Sequence, residues 1–172
     1  MIRHTALFKW AADATDEQKQ AAATEVAKLP SIVPSIRAFA AEDDNDGRLK
    51  TERAAIAEGV TQFEAMLNAM TGFLIGAFEQ PTEIYKIGQQ SVRLLLAFGD
   101  LIIGWLLARH AEVAQRALDN ADTLSQADRD FYAGKIAVAR FFATTVLPRL
   151  ESERKILEQT TLDLMDVPEA AF

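Results

Sequence analysis

The chain contains no cysteine. Disulfides, thiolate catalysis and cysteine-ligated zinc are therefore excluded. Histidine is nearly absent as well: His4 and His110 are the only two. They lie far apart in different segments, so no metal site is expected. Glycines do not gather into a phosphate-cradling loop. Gly72, Gly76, Gly88, Gly99 and Gly104 are scattered through helical pattern, without the strand–loop–helix context such a loop requires. No serine carries the flanking glycines of a nucleophile elbow. Basic clusters interleaved with aromatics are missing too. Lysine and arginine number 18 against 25 aspartates and glutamates, giving a net charge of −7. Phosphate backbones repel such a protein, so no nucleic-acid partner is expected. The opening Met1-Ile2-Arg3-His4 lacks a signal-peptide apolar region with a small-residue cleavage site. Together with the missing cysteines, this suits a cytoplasmic protein.

What is present is apolar. Hydrophobic residues make up 49% of 172 residues and charged residues 25%. That composition supports a packed core, in one domain or one domain with a small appendage. The run from Leu94 to Leu107 invites a membrane reading. It falls short of the ~20 residues a bilayer needs, and Asp100 stands near its middle. The simpler expectation is the central helix of a bundle, with no membrane span.

Periodicity divides the chain at Asp43-Asp44-Asn45-Asp46-Gly47. Before it, Ile2, His4, Ala6, Phe8 and Trp10 alternate as one face of a strand. Thr15 and Gln18 fit a capping box for a helix reaching Leu29, stopped by Pro30. Residues 35–42 read as a second, shorter strand, and the acidic run itself as a solvated linker. After it, the pattern is helical. Ala55, Val60, Phe63, Leu67, Met70, Leu74 and Phe78 mark the apolar side of a helix over residues 48–79. Gln80-Pro81 breaks that helix and opens the next, which runs to about Leu118. Ser125 with Asp128 caps a third helix from about Gln126 to Leu147. Its apolar residues include Phe131, Ile136, Val138, Phe141, Phe142, Val146 and Leu150, and it is expected to kink at Pro148 and continue. A last short turn is expected in the tail.

Few residues suggest chemistry. Asp100, inside the most apolar helix, must be paired or partly wet. Lys135 and Arg140 are candidate partners, and an inter-helix ion pair that fixes register is the plainer reading beside that of a tuned acid in a cleft. Tyr132 can donate to a ligand or simply bond a neighbouring helix. Trp105 can stack a planar ligand or fill a core. His4 can line a cavity or sit in a core. No carboxylate pair stands out from the rest.

Two resemblances follow. Met1 to Trp10, then Leu29-Pro30 and Val33 to Phe39, resemble the opening half of the Dabb, or stress-responsive A/B barrel, family, over about residues 1–43. That family builds ferredoxin-like units that dimerise, and its second half is absent here. Phe98-Gly99-Asp100, Gly104 to Arg109, Phe131 to Ala143, Leu147-Pro148 and Glu169 to Phe172 resemble the extra C-terminal helical domain of a subgroup of acyl-CoA dehydrogenases, from about residue 50 onward. The catalytic glutamate and flavin contacts of those enzymes lie in a core that this sequence does not contain. The expected fold is therefore mainly α: an antiparallel bundle of three long helices (residues 47–172) behind a short β-α-β appendage (residues 1–46). The resemblances imply a non-catalytic accessory or self-association module with no cofactor of its own, FAD entering only through an associated dehydrogenase core. A homodimer is expected. The alternative is a small-ligand-binding dimeric barrel that uses the N-terminal segment.

Overall fold

Every regular element is helical in the computed structural model, which describes residues 32–42, 47–120, 124–165 and 167–171. The order is α1 (Ile32–Ala41), α2 (Lys50–Glu79), a 3-10 turn (Pro81–Glu83), α3 (Ile84–Leu118), α4 (Gln126–Thr145) and α5 (Arg149–Glu158). Two short 3-10 turns, Asp163–Met165 and Glu169–Ala171, follow. The first strand, the helix to Leu29, His4 and Asp43–Asp46 fall outside the described residues.

The expected second strand is instead part of α1. Ile36 and Phe39 are both buried and stand one helical turn apart, which a strand cannot place on one face. Pro34 sits in the first turn, where no intrahelical amide bond is lost. The compact unit that includes the long helices begins at Ile36, ahead of the acidic run. Residues up to Ser35 cluster separately, and of these only 32–35 are described.

The punctuation of the long helices follows from their end residues. α2 closes where Gln80 N–H donates to the Gly76 carbonyl at 2.8 Å, and Pro81 opens the next turn. Ser125 caps α4: its Oγ accepts from Asp128 N–H at 3.2 Å and donates to Asp128 Oδ2 at 2.6 Å. α4 ends at Thr145, and a helix resumes at Arg149 after a turn. Pro148 lacks the amide that would continue the ladder, so the expected kink is a full interruption.

Contacts between α2 and α3 run in opposite directions along the two helices. Arg53 reaches Glu112, Gly59 faces Leu101 and Phe63 stacks on Phe98 at 4.9 Å, while Gly76 lies against Glu83 in the 3-10 turn that joins the two helices. Towards α4, Leu49, Ala111 and Ala139 form a buried cluster, with Leu107 and Ile136 packed on it. Leu147, in the turn after α4, presses on Gly104.

Small residues make these crossings. Ala97, Gly104, Ala108, Ala111 and Ala114 are the buried positions of α3 together with Leu101, and Ala139 and Ala143 are those of α4. Helices meeting through alanine and glycine approach closely, leaving little room for large side chains between them. Several residues expected in the core consequently lie outside. Leu74, Phe78, Phe131, Val138 and Phe141 are all exposed, Phe78 by 85%.

Two glycines show the contrast. A β-carbon at Gly104 would meet Leu147 Cδ1 and Cδ2 at 3.0 Å, whereas one at Gly72 would meet nothing within 4 Å. Gly104→Ala is expected to lower stability by about 1 kcal/mol through overpacking. Gly72→Ala is expected to raise it by up to about 1 kcal/mol, because alanine favours helix over glycine. Paired urea titrations check both, and a Gly104→Ala protein as stable as wild type would contradict the close crossing.

The helical stretch Pro81–Leu118 is long and apolar enough, by length and composition alone, to cross a membrane; 22% of its most apolar window is buried inside the chain. The run Leu94–Leu107, short of a bilayer by itself, is only the centre of a helix that extends well beyond it on both sides.

Candidate functional site

Charged residues concentrate where α2 begins and α3 ends. A cleft of about 170 Å³ there is lined by Arg48, Leu49, Arg53, Glu112, Gln115, Arg116 and Asp119. α2 supplies Arg53 from its first turn, and three residues of α3's last turns come from the partner side. Arg53 is only 6% exposed. Its guanidinium donates to the Phe39 carbonyl of α1, reaches Glu42 Oε2 at 3.3 Å and lies 3.7 Å from Glu112 Oε1. It also stands 4.2 Å from the centre of the Phe39 ring, within cation–π range. Glu112 is shared with Arg116 at 2.6 Å, and Arg48 meets Asp119 at 2.6 Å. Each guanidinium in the cleft thus already faces a carboxylate. The arrangement is an electrostatic clasp that joins α1, α2 and α3; it presents no nucleophile beside a base.

A second ion pair bridges α2 and α4. Glu52 is 1% exposed, and its Oε1 accepts from Arg140 Nε. Its other oxygen lies buried without a hydrogen-bond partner among the described residues. Glu52 was not singled out in the sequence, although it falls on the same helical face as Ile56 and Phe63, four and eleven positions on.

The structure places the candidates singled out from sequence as follows. Asp100 is half-buried on α3 and forms no ion pair with Lys135 or Arg140. Arg140 pairs instead with Glu52, and the Lys135 ammonium stands 5.0 Å from the Phe131 ring centre. Tyr132 meets Phe131 edge-on, with ring centres 5.6 Å apart. Trp105 lies under the Arg109 guanidinium at 5.6 Å, and its indole nitrogen is buried without a partner among the described residues. No three metal-binding side chains gather among the described residues. Surface pairs add local electrostatics only. Glu64 raises the pKa of Arg37 through a hydrogen bond and charge, and Lys155 holds the Glu151 carboxyl below its usual range in the same way. Both pairs lie on the surface and contribute little to stability.

A family model described as "Acetyl-CoA dehydrogenase C-terminal like" matches residues 32–168. The chain belongs to this family. Its match takes in α1, ahead of the acidic run, as well as the long helices. The chain is also similar to the broad-specificity linear acyl-CoA dehydrogenase FadE5 of Mycobacterium tuberculosis (strain ATCC 25618 / H37Rv). The two are 46% identical over 144 residues, covering 84% of this chain and 23% of that protein. The chain therefore spans about a quarter of the length of this curated relative. The Dabb resemblance of the N-terminal residues has no counterpart in these matches.

Acyl-CoA dehydrogenases imply FAD in the full enzyme, and the charged cleft does not fit it. A drug-sized ligand occupies roughly 300–1,000 Å³ and a dinucleotide is larger than most. The charged cleft, at about 170 Å³, is too small. Its guanidiniums are also engaged with carboxylates, so they do not form a free cradle for a pyrophosphate.

Proposed function

We propose that the chain is a non-catalytic helical module, an antiparallel bundle of three long helices, that acts in the cytoplasm beside a flavin-dependent acyl-CoA dehydrogenase core and in self-association. The observation that carries this reading is the match over residues 32–168 to a C-terminal dehydrogenase family. The named relative, by its name, dehydrogenates linear acyl-CoA, and this chain corresponds to less than a quarter of it. The paired charges at the head of the bundle support a scaffold role, because they tie helices together and leave no side chain poised to move a substrate proton.

In this reading the flavin and the base that removes the substrate proton belong to the core, and the module contributes rigid helical surface. Purified chain mixed with FAD, a linear acyl-CoA and an artificial electron acceptor is expected to give no turnover above a blank. It is also expected to bind, at micromolar concentration, the flavin-containing part of a dehydrogenase that lacks its own matching C-terminal region. Flavin absorbance that co-purifies with the chain, or turnover by the chain alone, would overturn the non-catalytic role. Absence of binding to any such core at tens of micromolar would overturn the accessory role.

A further inference from the structure

We draw no further inference here: the strongest candidate, the exposed apolar outward face of α3 between Val92 and Val113, carries nothing because nothing in the structure shows what covers it.

Discussion

Replacing Arg53 by methionine is expected to lower the folding free energy by about 3 kcal/mol, within the range for removing one partner from a buried charge pair. The substitution keeps an unbranched side chain of similar reach, so packing is largely preserved and the electrostatics alone are tested. What is lost is specific. The Phe39 carbonyl loses its donor, Glu42 and Glu112 lose a cation, and the contact over the Phe39 ring disappears. Glu112 keeps Arg116, which moderates the loss. Arg53→Lys should fall between the two, since an ammonium retains the charge but not the fork that serves a carbonyl and two carboxylates at once. Urea unfolding at constant m-value gives the comparison. Because Arg53 is buried, the difference should persist in 0.5 M salt, where a surface pair would be screened. A loss of under 1 kcal/mol would show that the clasp does not hold α1 to α2.

The clasp also explains where the sequence misleads. Residues 35–42 are short and apolar, a length at which strand and helix patterns overlap. A distant contact supports the helix: Arg53, fourteen residues beyond Phe39, donates from its guanidinium to the Phe39 carbonyl near the end of α1. No local window contains that contact. By contrast the ends of the long helices were readable, because Gln80-Pro81 and Ser125 with Asp128 act through immediate neighbours. Periodicity located the helices but not which side faces inward. Phe131, Val138 and Phe141 share one side of α4 at intervals of seven and three, and nothing local distinguishes that side from the one built of Ala139 and Ala143. The inward side is chosen by how closely helix axes approach, a property of the pair of helices. Arg140 was singled out for charge and position, and its partner was missed for a related reason. Asp100 is the conspicuous acid in an apolar run. Glu52 looks like an ordinary first-turn glutamate until α4 covers it.

The outward placement of large apolar residues and the paired state of the inward charges have a common consequence. Within the chain the close crossings are made by small residues and a few well-placed leucines, while many large apolar side chains remain exposed. The closest packing between helices falls where α2, α3 and the turn after α4 converge, around Gly59, Leu101, Gly104, Leu147 and Leu150.

At that convergence Leu101→Ala is expected to cost about 3–4 kcal/mol, the range for truncating a fully buried leucine whose surroundings cannot collapse. Leu101 has no exposed surface, and its Cδ1 lies 3.2 Å from where a β-carbon on Gly59 would stand. Helices packed this closely cannot move inward to fill the void without disturbing the Gly104–Leu147 contact on the same side. The geometry also predicts coupling. Gly59→Ala alone meets Leu101 and should be neutral or destabilising despite alanine's helix preference. In the Leu101→Ala background the same methyl enters the vacated space, so the double variant should be more stable than the sum of the singles by about 1 kcal/mol, within the range seen for residues in contact. A double-mutant cycle by urea denaturation measures this. Strict additivity would mean that α2 and α3 relax apart on truncation, and that the close crossing at Gly59 is not what sets their distance.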